Sequence, residues 1–282
     1  MNRLNPRVHF VFKLLFGSEE NKDLLISLIN SVVSEQDQVM DVLIKNPFNA
    51  KTYLQDKLSI LDIRAQGKSG KHYNVEIQIT DQLHYEKRAL YYWSEVYSAQ
   101  MEEGKAYSEL NKTIGIHILN FNLMDEPDYH NRYCVMNTKS NKQAFCDFEL
   151  HTIELEKFDK EISQVKTALD RWVTFLKKSY ELKENQLPKN LQDPFLKKAV
   201  HVLDTVNFTQ EERLLYAGQL RWLRDEAAGI EKAFLKGELK GKLEEKRAIA
   251  KAMKAKGIAI AGYLDSFHGL RPAGQPQDLP PP

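Results

Sequence analysis

Two carboxylates stand where a buried strand ordinarily carries valine: Asp62 in KLSILDIRAQ (57–66) and Glu76 in HYNVEIQI (72–79). Between the two runs, QGKSGK (66–71) is polar and carries two glycines, so the simplest local structure is an antiparallel hairpin. A three-residue loop over 68–70 gives Gly70 the position that needs a left-handed backbone, which glycine adopts without steric cost. That loop sets the register: Gln66 faces His72, and Asp62 faces Glu76 with β-carbons ~5 Å apart. Period two then places Asn74, Glu76, Gln78 and Thr80 on one side of the strand and Tyr73, Val75, Ile77 and Ile79 on the other.

Two carboxylates this close repel unless a cation lies between them or one takes up a proton. Hard oxygen donors suit Mg²⁺, with Mn²⁺ as a substitute, and both ions bind one or two carboxylates together with substrate phosphate. Such a pair would serve phosphodiester hydrolysis, in which the metal polarises a phosphoryl oxygen and lowers the pKa of the attacking water. Gln78, on the same side, could orient that water. A strand face bearing Asp, Glu and Gln is also what the wet side of an antiparallel sheet looks like, and the local pattern does not choose between the two.

Other chemistries find little support. The GKS at 67–69 imitates the end of a phosphate-binding loop, but Asp62 stands where its first glycine should be and a strand follows where a helix is required. The eight histidines show no paired metal-ligand spacing, and the two cysteines, Cys134 and Cys146, form neither a zinc motif nor a disulfide framework. Forty basic against 39 acidic residues give a net charge of +1, so a nucleic-acid partner must be argued from a local site. No signal sequence and no apolar run near the ~20 residues of a membrane span is evident, which makes the cytoplasm the expected location and a membrane partner unexpected.

The elements that would position these residues divide the chain. Residues 8–33 are apolar at helical spacing, with Gly17 and Ser18 splitting them into two helices and Ser18 capping the second, whose first turn holds Glu19 and Glu20. Strand-like runs follow at 38–46, 57–66 and 72–80, then a helix over 82–102, a strand over 112–123, and two more strands at 130–137 and 144–155. This is a mixed α/β domain spanning 1–158. From 159 to 257 the sequence reads as helices only, at 160–180, 191–204 and 209–256. Residues 258–282 end in proline-rich sequence expected to be disordered. Between Glu231 and Lys256 nine Lys or Arg outnumber four Glu, the pattern of a solvated charged helix or of a helix that meets a partner.

The hairpin, with Glu-Ile-Gln at 76–78 after Asp62, resembles the core of the PD-(D/E)XK nucleases. More narrowly the chain resembles the superfamily's recombination-promoting nuclease and transposase group, through FKLLFG (12–17), LISLINSV (25–32), KLSILDIRAQ, YNVEIQ (73–78), YEKRALYYWSEVYSAQMEEGKAYSEL (85–110) and ILNFNL (118–123). The resemblance implies a restriction-endonuclease-like mixed sheet of about four strands flanked by helices, with an α-helical C-terminal extension. It implies a Mg²⁺-dependent DNA endonuclease that promotes recombination, with Asp62 and Glu76 holding the metal and Gln78 in the place of the catalytic lysine. Lys13, Lys87 and Arg88 become candidate DNA contacts, His9 and Glu20 accessory candidates, and the helical C-terminal region a candidate homo-oligomer interface. The chain departs from its relatives at His9, where they carry an aspartate, and at its C-terminal end. The alternative reading is therefore a catalytically impaired, mobile-element-derived DNA- or protein-binding relic.

Overall fold

The computed structural model describes residues 4–46, 63–81, 83–205 and 208–255. Six strands form one mixed sheet: β1 (Val42–Ile44), β2 (Ile63–Gly67), β3 (His72–Gln78), β4 (Thr113–Leu119), β5 (His130–Met136) and β6 (Gln143–Glu154), in the order β1-β2-β3-β4-β6-β5. The three central strands, β3, β4 and β6, run parallel, while β1, β2 and β5 attach antiparallel at the flanks. The sheet thus has more than the four strands the family resemblance suggests. The additional pairing comes from short β1 at one edge and β5 at the other. β4 is buried along its whole length, in keeping with its unbroken apolar sequence TIGIHIL.

The hairpin follows the register set by its turn. Ile63 pairs with Val75, Arg64 with Asn74, Ala65 with Tyr73 and Gln66 with His72. Gly70 sits at φ +87°, and its N–H donates to the Gly67 carbonyl at 2.9 Å to close the loop. Asp62 lies outside the described residues, one position beyond the last described pair of this ladder.

Alternation along the central strands gives the sheet two different faces. Tyr73, Val75, Ile77, Ile114, Ile116, Ile118 and Ile153 share one core with helices α1 (His9–Phe16) and α2 (Lys22–Val32). In α2 the residues buried are the predicted stripe Leu24, Leu25, Leu28, Ile29 and Val32. Each such side chain contributes about 1.5–3 kcal/mol relative to its exposed state. The opposite face is covered by helix α3 (Tyr85–Ser98), which connects β3 to its parallel neighbour β4 and packs Tyr85 and Ala89 against Leu119, Phe121 and Leu150. Ser18 does not cap α2: its hydroxyl donates back to the Leu14 carbonyl at 3.0 Å, because a short 3₁₀ turn, Glu19–Asn21, intervenes before α2 begins.

The α-helices after β6 belong to the same core. In α4 (Ala168–Lys178), Thr167 and Asp170 form a reciprocal capping box, and Trp172, Val173, Phe175 and Leu176 are buried, with Trp172 edge-on to Phe16 at 5.3 Å. Leu196, Ala199, Val200 and Leu203 of α5 (Pro194–Thr205) join it, as do Leu215, Tyr216, Leu220 and Leu223 from the first turns of α6 (Gln210–Ala255). The core is therefore continuous across residue 158, where strands give way to helices. The compact unit it builds extends to Leu223, and a second unit begins at Arg224. Within that second unit the helix is charged and largely exposed, with pairs such as Lys242–Glu238 at 2.6 Å along its surface. No helix among the described residues is long and apolar enough to cross a membrane.

Candidate active site

The polar side of β3 is not wet. Asn74, Glu76 and Gln78 are 0%, 1% and 2% exposed, sealed between the sheet and α3. An ionised carboxylate in such a place requires a cation. Arg88, on α3, provides one: its Nη2 lies 3.3 Å from Glu76 Oε1 and donates to Gln78 Oε1 at 2.7 Å. The guanidinium also lies over the Tyr85 ring at 4.8 Å and the Tyr92 ring at 5.8 Å. The other end of the Gln78 carboxamide donates from Nε2 to the Thr80 carbonyl at 3.1 Å. Both ends of Gln78 are therefore engaged, and its orientation is fixed.

The parallel ladder brings His117 of β4 directly beside Glu76. Tyr85 Oη lies 2.8 Å from His117 Nδ1, and Glu76 Oε2 is 3.7 Å from the same nitrogen. Complete burial, reinforced by the Arg88 charge, lowers the His117 pKa to about 4. At neutral pH the imidazole is uncharged, so its approach to Glu76 is not an ion pair, and the short contact with Tyr85 is the bond that holds the ring. Gly115 makes room for that ring, since a β-carbon there would stand 3.1 Å from His117 Nε2.

His9 opens α1 and is also buried. Burial first, then the charges of Arg88 and Lys13, lower its pKa to about 4. Its Nδ1 has no hydrogen-bond partner among the described residues. The Arg88 charge acts on both His9 and His117, while its guanidinium contacts Glu76 and Gln78. Lys13, one turn on from His9, is buried as well.

Of the residues singled out from sequence, the structure brings together His9, Lys13, Glu76, Gln78 and Arg88. It leaves Lys87 and Glu20 exposed, Glu20 offering only its backbone carbonyl to Lys198 at 2.9 Å. His117 and Tyr85 were missed. The signal for His117 was a lone histidine inside the apolar run TIGIHIL, but only the parallel pairing of β3 with β4 shows that it neighbours Glu76. In YYW (91–93), Trp93 packs against Phe148 and donates to the Thr113 carbonyl at 2.8 Å, whereas Tyr91 is exposed.

The donor chemistry accommodates a divalent cation in part. Glu76 is a buried hard-oxygen ligand already balanced by positive charge, yet among the described residues no group of three or more His, Cys, Asp or Glu is arranged to hold a metal. Asp62, the second carboxylate expected from the sequence register, lies outside the described residues.

A mixed sheet with parallel central strands, an antiparallel hairpin at its flank and a buried Glu-x-Gln under a covering helix is the restriction-endonuclease-like α/β arrangement. The family model for the PD-(D/E)XK nuclease family transposases matches residues 6–233, and the chain belongs to that family. The match runs through the sheet, the capped α4 and the start of the charged helix. No curated protein and no solved structure matches the chain.

Proposed function

We propose that the protein is a divalent-metal-dependent DNA endonuclease whose cuts promote recombination or transposition. The observation that carries this reading is Glu76, buried in the sheet, paired with Arg88 and one ladder step beyond the Ile63–Val75 pair, where the sequence register expects Asp62 opposite it. Glu76 with Asp62 would hold Mg²⁺ or Mn²⁺, and the bound ion would supply Lewis-acid activation of water and of the phosphoryl oxygen. The chain's own residues do the rest. α3 closes the polar face against bulk water, which strengthens every charge inside it. Gln78 holds a fixed orientation between Arg88 and Thr80, and Tyr85 holds His117 beside Glu76.

The experiment is cleavage of supercoiled plasmid by purified protein with and without Mg²⁺ or Mn²⁺, beside Glu76→Ala, Asp62→Ala and Gln78→Ala. Metal-dependent nicking by the wild type, abolished in the two carboxylate variants and reduced in Gln78→Ala, is the expected result. Equal cutting by wild type and Glu76→Ala overturns the proposal. An RNA substrate run in parallel identifies the polymer. The impaired-relic reading draws on His9, a buried neutral imidazole where the family resemblance leads one to expect an aspartate. DNA binding without metal-dependent cleavage is the outcome that favours it.

A further inference from the structure

We propose that Arg88 is the catalytic cation of this site and that Gln78 is the residue that positions it. The inference rests on the nuclease reading above and assigns within it a role that Gln78 cannot fill. A neutral carboxamide can accept and donate hydrogen bonds but cannot offset the negative charge that gathers on a phosphoryl group during hydrolysis. The positive charge beside Glu76 comes from another element, the covering helix.

Four observations fix that assignment. The Arg88 guanidinium contacts both Glu76 and Gln78 through Nη2, so it stands at the carboxylate rather than on the protein surface. Gln78 receives it through Oε1 while Thr80 holds the opposite end of the amide, an arrangement that aims the guanidinium and leaves Gln78 committed to it. The guanidinium also lies over the Tyr85 and Tyr92 rings, which limits the directions it can take. The Arg88 side chain nevertheless retains 24% of its exposure, so substrate can reach it, unlike Glu76 at 1%. Adjacent Lys87 is exposed and takes no part.

A guanidinium has five N–H donors in a planar fork and can hold a carboxamide oxygen and a phosphoryl oxygen at once. In the hydrolytic step the oxygen of water forms a bond to phosphorus as the bond from phosphorus to the departing ester oxygen breaks. The proton lost by water passes to solvent and the departing oxygen takes one up, giving a phosphate monoester and an alcohol. Arg88 donates hydrogen bonds to the non-bridging oxygens as their charge increases and transfers no proton.

The test compares wild type, Arg88→Gln, Arg88→Lys, Glu76→Ala and the double variant Arg88→Gln/Gln78→Lys. Three readouts are single-turnover plasmid cleavage at saturating DNA, DNA affinity by anisotropy without metal, and Mn²⁺ affinity by calorimetry without DNA. Arg88→Gln should cleave on the order of a hundredfold more slowly or worse. Its Mn²⁺ affinity should be equal to or tighter than wild type, because a cation competing for Glu76 is gone. Arg88→Lys, which keeps the charge and most of the packing, should retain part of the rate. The double variant, which returns a cation to the strand itself, should recover at least tenfold over Arg88→Gln, a rescue that a purely structural role would not allow.

An Arg88→Gln rate within twofold of wild type, a loss confined to DNA affinity, a loss of Mn²⁺ binding, or no recovery in the double variant overturns the proposal. If Arg88→Gln does not fold, the Arg88→Lys rate decides: a value indistinguishable from Glu76→Ala overturns it. Where the wild type cuts and Glu76→Ala does not, such results count against Arg88 alone. A wild type that fails to cut with either metal removes the nuclease reading and this assignment together.

Discussion

Tyr85 shows how much of this site depends on single polar atoms. Its hydroxyl bonds to His117 Nδ1 at 2.8 Å in a place with no solvent, and its ring carries the Arg88 guanidinium on its face. Tyr85→Phe keeps the ring and the cation–π contact but strands a buried imidazole nitrogen. Leaving such a group unsatisfied costs about 1–3 kcal/mol, which urea unfolding at pH 7.5 would register. A change below a few tenths of a kcal/mol would mean that the ring is held by its packing alone. The chemistry-bearing residues on the hairpin were legible because period two and one turn suffice to place Glu76 and Gln78 on one face. His117 was not, since its neighbourhood with Glu76 arises from a pairing between strands separated by a whole helix. Arg88 was legible as a cation on the right helix but not as a partner of Gln78, for sequence shows the face of a helix and not the reach of one side chain.

At the scale of elements, the hairpin was readable because its turn carries its own instructions. Gly70 adopts φ +87°, and a β-carbon there would stand 2.6 Å from Asn111 Oδ1. Gly70→Ala therefore combines the left-handed backbone penalty of about 1–2 kcal/mol with a collision against the segment leading into β4. Gly104 is the internal control: its φ is +86° but nothing lies within 4 Å of an added β-carbon, so Gly104→Ala should show the backbone cost alone. Unfolding midpoints should rank wild type above Gly104→Ala and Gly104→Ala above Gly70→Ala, and equal midpoints for the two variants would refute the collision. What no local pattern revealed is the charged cluster that ties the strands at the other face. Asp37 accepts from Lys71 at 2.9 Å and Lys112 at 2.8 Å, and Lys112 continues to Glu149 at 2.9 Å. Glu149 also accepts from Arg132 at 2.6 Å and pairs with His151 at 2.9 Å. Burial alone would raise the Glu149 pKa, but the bonds from His151, Arg132 and Lys112 outweigh it and hold the group well below the usual carboxylate range. Its members come from five separate stretches of sequence, each of which reads by itself as ordinary surface charge.

For the molecule as a whole, two buried histidines and the half-buried His130 determine the response to acid. His9, His117 and His130 have pKa values lowered from 6.5 to about 4, with burial as the first cause in each. Below pH 6.5 the unfolded chain takes up protons that the folded chain refuses, so stability present above that pH is lost progressively as the pH falls toward 4. Each group contributes roughly 3 kcal/mol at most across that window. Glu149 and Asp170 act in a lower range: their folded pKa values are depressed from 4.5 and 3.8, so their contribution holds above those values and disappears only beneath them. The expected profile therefore has two stages, a decline between pH 6.5 and 4 and a second one at lower pH. Chemical denaturation from pH 7.5 to 3 measures it, and near pH 5 unfolding should take up close to one proton for each of His9, His117 and His130. His130 sits on β5 against His151, whose side chain points to the sheet face opposite Glu76, so His130→Gln should make the first stage shallower while leaving metal-dependent cleavage intact. A stability that stays constant from pH 7.5 to 5 would show that the three imidazoles titrate in the folded chain as they do in water.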